Sequence, residues 1–191
     1  MRIACPLAHP PGGLPAHGLP QTIDRMSMLT TRLFVVRHAV AEDAPPGGDD
    51  HARRLTGKGR RRFARLVRRL ARAGFAIDLV ATSPLVRARE TAEILAEELA
   101  VRPRIEVVEA LAPGSDWHAL VEWMVRQDAA SVAWVGHAPC VSRLIAMSIG
   151  DGGAGVRMEK GAIAAIALDD GPGHPGDLEW MMTPDLLRRR R

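Results

Sequence analysis

Two histidines, each delivered by an apolar run, are the residues of this chain best suited to chemistry. Leu33-Phe34-Val35-Val36 leads into Arg37-His38, and Val132-Ala133-Trp134-Val135-Gly136 leads into His137. Short apolar runs of this kind are the pattern of strands buried on both faces. In an open α/β sheet, ligands bind beyond the carboxyl ends of the strands, so both imidazoles are expected at that edge. An arginine beside a histidine is costly to bury without an anion, and guanidinium offers a rigid fork of donors matched to phosphate oxygens. Neutral imidazole is a competent nucleophile towards phosphorus. His38 is therefore a candidate phosphoryl acceptor with Arg37 beside it, and His137 a candidate donor to phosphoryl oxygens. Arg87 falls in the first turn of a predicted helix, where free N–H groups and the helix dipole already favour an anion. Arg89 faces elsewhere on that helix and reads as a surface residue. Taken singly, each has a plainer reading: His38 as a core residue, His137 as a helix cap, Arg53 and Arg54 as loop charges. The set as a whole favours phosphate chemistry.

The elements that must position these residues alternate along the chain. A strand is expected over 32–37, followed by a Pro/Gly/Asp-rich loop, 44–50. Thr56-Gly57 precedes an amphipathic helix to Arg72, stopped by Gly74. A second strand spans 77–81. Ser83 suits an N-cap and Pro84 the first helical position of a helix running to Ala100. A third strand, 105–108, leads through Pro113-Gly114 to a helix capped by Ser115 or Asp116, with Leu120, Trp123 and Met124 inward. A fourth strand, 131–135, is followed by a helix opened by Pro139. Gly150 to Gly155 fits neither a P-loop nor a dinucleotide fingerprint. Strand-like runs at 162–168 and 178–182 flank a turn-rich stretch and read as a hairpin. The order βαβαβαβα plus a terminal hairpin predicts a three-layer α/β/α sandwich with a largely parallel sheet and an edge hairpin.

Composition narrows the function classes. The chain has 191 residues, 47% apolar and 25% charged, which suits one soluble globular domain, expected over 31–185. Aromatics make up 4% with no Tyr, which argues against platforms for stacking bases. The net charge of +4 comes largely from Arg60 to Arg62 with Arg68-Arg69, and from Arg188 to Arg191. The first group shares a helix with the apolar stripe Phe63, Leu66, Val67 and Leu70, so it reads as a solvated face; residues 186–191 read as a basic tail. No nucleic-acid specificity and no membrane association are expected, and a monomer is favoured. Cys5 and Cys140 form no disulfide framework, which suits a cytoplasmic setting. Cys140, after Pro139 at a helix start, is a candidate reactive thiol, though a half-buried structural thiol is the simpler reading. Residues 1–30, rich in Pro and Gly, are expected to be disordered, with Met26 or Met28 as alternative starts. The remaining histidines show no metal-ligand spacing, so neither a metal nor another cofactor is assigned.

Five segments in order resemble the histidine phosphatase superfamily, also called the phosphoglycerate mutase-like family, and within it the small SixA-type phosphohistidine phosphatases. Arg37-His38-Ala39 resembles the R-H-G or R-H-A signature. Arg53-Arg54-Leu55-Thr56-Gly57-Lys58-Gly59 resembles R-P-L-T-x-x-G, with Arg54 in place of the proline. Ser83, Pro84, Arg87, Ala88, Thr91 and Ala92 match S-P-x-x-R-A-x-x-T-A. Leu111 to Asp116 resembles L-x-P-x-x-D, and Val135 to Pro139 resembles V-G-H-x-P. The resemblance implies that His38 is the nucleophile, that Arg37, Arg53 and Arg87 hold the phosphoryl group, and that His137 completes the pocket. The role of Arg53 rests on the resemblance alone.

Larger relatives use a carboxylate to protonate an alkoxide leaving group, a contribution of roughly 10²–10⁴-fold. SixA-type members lack the usual acid. Glu109, near the corresponding place, is a candidate general acid, with an ordinary surface glutamate as the alternative; Asp116 reads as a helix cap, and Glu42 as a residue at the pocket border. Without an acid the expected reaction is metal-independent dephosphorylation of a protein phosphohistidine, whose leaving nitrogen can take its proton from water. The alternatives are a phosphomonoesterase acting on a sugar phosphate or nucleotide, which a functional Glu109 would favour, and a non-catalytic basic protein that binds phosphate or nucleic acid.

Overall fold

Alternate side chains of the first strand enter two different cores. Phe34 and Val36 pack with Phe63, Leu66, Val67 and Leu70, whereas Leu33 and Val35 pack with Leu120, Met124, Leu144 and Ile145. Period-two alternation sends neighbouring side chains to opposite faces of a sheet, and helices on both faces explain why the strands read as continuous apolar runs. The computed structural model describes residues 31–187 except 45, 46 and 48. The N-terminal extension, its alternative starts, Cys5 and the four terminal arginines lie outside the described residues.

The order is β1 (Thr31–Arg37), α1 (Gly57–Arg72), β2 (Leu79–Thr82), α2 (Val86–Glu97), β3 (Arg104–Val107), α3 (Trp117–Val125), β4 (Ser131–Gly136), α4 (Cys140–Ser148), β5 (Ile163–Leu168) and β6 (Asp177–Met182). One mixed six-stranded sheet has the order β3-β2-β4-β1-β5-β6. The first four strands run parallel, and β5 and β6 form the expected antiparallel edge hairpin. Helices α1 and α2 cover one face, α3 and α4 the other, which gives the expected three-layer α/β/α sandwich. Short 3-10 turns lie at Asp50–Ala52, Glu109–Leu111 and Pro184–Leu187.

Asp116, one of the two residues expected to cap α3, accepts from the Ala119 N–H at 3.1 Å, and Thr56, just before α1, caps it by accepting from the Gly59 N–H at 2.9 Å. The cap expected at Ser83 does not form. Helix α2 starts two residues later than the Ser-Pro signal suggests, and Leu85 occupies its N-cap position with no side-chain hydrogen bond. Ser83 faces the neighbouring strand instead. Cys140 is half-buried and accepts a hydrogen bond from the Gly114 N–H at 3.2 Å. Helix α1 also has a steric requirement near the site: a Cβ on Gly59 would overlap the carbonyl oxygen of Val40, two residues after His38.

A buried carboxylate locks α1 and α2 together. Glu90, only 4% exposed, accepts from the Leu55 N–H at 2.7 Å and from Arg54 Nε at 2.8 Å, and also pairs with Arg60. Burial pushes its carboxyl up, but the Leu55 hydrogen bond and the two guanidinium groups outweigh that and leave it below its ordinary value. Such a group stabilises the fold above the unfolded carboxylate range, and the contribution is lost as pH falls through the folded value. Glu90→Ala leaves the Leu55 N–H without its acceptor and is expected to cost about 2–3 kcal/mol, read as a lower urea midpoint. A cost below about 0.5 kcal/mol, the usual range for surface changes, would show that this lock does not hold the two helices.

Candidate active site

The register of β1 on β4 brings the two histidines together. The strands are parallel with Arg37 opposite Gly136, so the next residue of each, His38 and His137, leaves the sheet at the same carboxyl edge. The His38 N–H continues the ladder to the Gly136 carbonyl at 3.0 Å. The two rings lie with centroids 5.1 Å apart and planes at 51°. On the other side of β4, Thr82 pairs with Val135 and the Ser83 N–H reaches the Val135 carbonyl at 3.0 Å. Ser83 therefore emerges beside His137, and its Oγ lies 2.8 Å from His137 Nε2.

Backbone contacts hold His38 in place. Its Nδ1 is 2.8 Å from the Ala39 carbonyl oxygen, which can only accept. The proton therefore sits on Nδ1 and the Nε2 lone pair is left available. The Ala39 N–H donates to Thr91 Oγ1 at 3.1 Å, and the Thr91 hydroxyl donates to the Arg87 carbonyl at 2.7 Å. One threonine of α2 thus ties the segment carrying His38 to the turn carrying Arg87.

The arginines are held by oxygen acceptors. Arg37 Nη1 donates to the Met158 carbonyl at 2.7 Å. Arg87, 5% exposed, donates through Nη1 to the Asp50 carbonyl at 2.7 Å and through Nη2 to Asp50 Oδ2 at 3.0 Å. Arg53 donates from Nε to the Glu42 carbonyl at 2.6 Å and from Nη1 to Asp50 Oδ1 at 2.8 Å. Asp50 therefore bridges Arg53 and Arg87 with its two carboxylate oxygens. The hydrogen bond from Arg53, helped by Arg87 against a smaller opposing effect of burial, holds the Asp50 carboxyl below the usual carboxylate range.

The environment keeps both imidazoles neutral. Burial is the main cause for each, and charge from the neighbouring arginines adds to it. His38 is lowered to about 3, with its hydrogen bond to the Ala39 carbonyl opposing, and His137 is lowered to about 4. Arg37 Nε, Arg87 Nε and His137 Nδ1 are buried with no hydrogen-bond partner among the described residues. Buried polar atoms are rarely left unpaired, and two guanidinium N–H donors with an imidazole nitrogen beside them match an anion with several oxygens. A neutral nucleophilic nitrogen among guanidinium groups is equipped to accept a phosphoryl group.

Sequence reasoning located His38, His137, Arg37 and Arg87, and these lie together. Arg53 joins them through Asp50. Glu109 is exposed on the turn after β3 and makes no side-chain hydrogen bond or ion pair among the described residues. Glu42 is exposed and meets the site through its carbonyl oxygen. Asp50 and the pairing of Ser83 with His137 were missed, and Thr91 was matched to the family segment without a role. The i, i+3 spacing of Asp50 to Arg53 was the one local signal available.

Comparison with known proteins agrees with this geometry. The sequence profile of the histidine phosphatase superfamily (branch 1) matches residues 33–139. An uncharacterized protein of a Picosynechococcus strain is 35% identical over 139 residues, covering 70% of this chain and 83% of that protein. The phosphohistidine phosphatase SixA of Escherichia coli strain K12 is 28% identical over 160 residues, covering 82% of this chain and 96% of SixA. A solved structure of the protein histidine phosphatase SixA complexed with tungstate superposes with a TM-score of 0.72 at 28% identity, covering 83% of this chain and all of that one. The buried histidine pair, the arginines around it and these matches agree: the chain belongs to branch 1 of the histidine phosphatase superfamily and is a phosphatase related to SixA.

Proposed function

We propose that the protein hydrolyses phosphohistidine carried by another protein, through a phosphoryl intermediate on His38. The observation that carries this reading is the state of the one carboxylate among the described residues that touches the site arginines. Asp50 is ionised by Arg53 and Arg87, so it has no proton to give a leaving group. An ester needs that proton, because an alkoxide leaves poorly. The nitrogen of a phosphorylated imidazole takes its proton from water. Glu109, exposed on the edge-strand turn, is assigned no proton transfer.

In the first step the Nε2 lone pair of His38 attacks phosphorus in line, while Arg37, Arg87, Arg53 and His137 draw the phosphoryl oxygens. A P–N bond to Nε2 forms, the P–N bond to the substrate imidazole breaks, and the departing nitrogen is protonated by water. In the second step water attacks phosphorus, the bond to His38 breaks, and phosphate leaves with His38 neutral again. The guanidinium groups supply the positive charge for both steps, so the scheme uses no divalent cation.

The test is phosphate release from a phosphohistidine-bearing protein and from p-nitrophenyl phosphate, side by side, with excess chelator. Preferred release from phosphohistidine, unchanged by chelator, is the expected result. Preference for the ester would replace this reading with a small-molecule phosphomonoesterase, and activity lost to chelator would overturn the metal-independent scheme.

A further inference from the structure

We infer that Ser83 is a positioning residue that fixes the tautomer of His137, so that the imidazole presents an Nδ1–H to the phosphoryl group. The inference rests on the proposed role of His137 at the phosphoryl oxygens, and the hydrogen-bond arrangement in the structure leads to it.

Ser83 is fully buried, and its Oγ has two neighbours. The Leu85 N–H, 3.4 Å away, can only donate to it. His137 Nε2, 2.8 Å away, can do either. If Nε2 carried the proton and donated, Oγ would receive two hydrogen bonds while its own proton had no acceptor. Nδ1 would then be a buried lone pair with no donor. If Ser83 donates, its proton reaches the Nε2 lone pair, its oxygen receives from Leu85, and both hydroxyl functions are used. The imidazole proton then sits on Nδ1, the atom left buried and unpartnered among the described residues. Burial keeps the ring neutral, so it holds one proton and the choice of tautomer decides what it can do. A ring with Nδ1 bare would turn a lone pair, not a donor, towards an anion.

The two histidines of the site then have the same tautomer for different ends. In His38 the Nδ1–H is used up on the Ala39 carbonyl and Nε2 is the free lone pair. In His137 Nε2 is used up on Ser83 and Nδ1–H is the free donor. One ring is left able to attack phosphorus and the other to hydrogen-bond to its oxygens. Ser83 stands outside α2 and serves both neighbours: its hydroxyl proton goes to the end of β4, while its oxygen accepts from Leu85, the N-cap residue of the helix.

The experiment is ¹⁵N NMR of histidine-labelled protein, with inorganic phosphate as the probe, on the wild type and Ser83→Ala. The wild type is expected to show His137 protonated at Nδ1, with that proton shifting when phosphate is added. Ser83→Ala is expected to lose the single tautomer. Its affinity for phosphate should fall by about 10- to 100-fold, taking the range for losing the outer partner of a metal-ligating histidine, at a temperature where the variant is fully folded. Wild-type protein with the proton on Nε2 would overturn the inference, and that measurement needs no variant to fold. So would Ser83→Ala that keeps both the tautomer and the phosphate affinity. Phosphate binding does not depend on which phosphorylated substrate the enzyme takes, so failure of the phosphohistidine reading would leave this result unaffected.

Discussion

His38→Ala should lower phosphate release by at least about 10⁴-fold, the scale of losing a nucleophile that acts as a unit with its site. The substitution removes the Nε2 lone pair but none of the guanidinium groups. Binding of inorganic phosphate should therefore survive, and rapid quench should show no phosphoprotein intermediate. A variant that kept a tenth of wild-type turnover would rule out the covalent route. The pH behaviour is a second readout. Because burial lowers His38 to about 3 and His137 to about 4, both rings are neutral at pH 6, where an ordinary histidine would be largely protonated. The acid limb of kcat/KM, which reports groups of the free enzyme, is expected near pH 4 and not near 6.5. Stability follows with a definite sign. Between about pH 4 and 6.5 the unfolded chain binds protons on these residues that the folded protein does not, so stability rises with pH. The limiting slope is about 1.4 kcal/mol per pH unit for each ring, and His38→Ala should remove one ring's share of it.

The parts of this site that were legible in the sequence are those placed by short-range pattern. Apolar runs ending in Arg37-His38 and in Gly136-His137 mark strand ends, and a parallel sheet aligns strand ends at one edge. Arg87 was legible because Ser-Pro marks a helix start, although the helix begins later than that signal suggests. What was illegible depends on which strands are neighbours. Ser83 has the composition of an N-cap, and only the pairing of β2 with β4 turns it into a partner for His137. Glu90 lies on α2 with no mark to distinguish it from Glu93, yet it is buried because Leu55 and Arg54, 35 and 36 residues earlier, come back to it. Asp50 lies in a stretch that reads as loop, and its role follows from the approach of Arg87 across 37 positions. Arg53 needed the family resemblance, because no local rule separates it from Arg54. In the fold they diverge: Arg53 turns to Asp50, and Arg54 turns to Glu90 with a mostly exposed side chain.

Arg87→Ala is expected to lower kcat/KM by about 10²–10³-fold on phosphohistidine and ester substrates alike, the range for removing one preorganised donor to transition-state charge. Its guanidinium is nearly buried, its two terminal nitrogens are engaged by Asp50, and its Nε is left without a partner. The Asp50 interaction aims the fork, and the remaining N–H is a donor with no acceptor unless an anion binds. Arg87→Lys should rescue little of the loss, because an ammonium is a point charge that cannot hold Asp50 and a phosphoryl oxygen in the same fixed plane. The stability readout separates this role from a structural one. Phosphate that binds only the folded protein stabilises it, by about 2.7 kcal/mol at a concentration of a hundred times Kd. The wild type should therefore gain thermal stability in phosphate, and Arg87→Ala should gain almost none. Without phosphate the variant should unfold at or near the wild-type temperature, since it loses a buried cation whose partner, Asp50, is half exposed and keeps Arg53. A variant that unfolded far below the wild type in buffer alone, yet gained the full stabilisation from phosphate, would make Arg87 a structural residue and leave the anion site to Arg37 and Arg53.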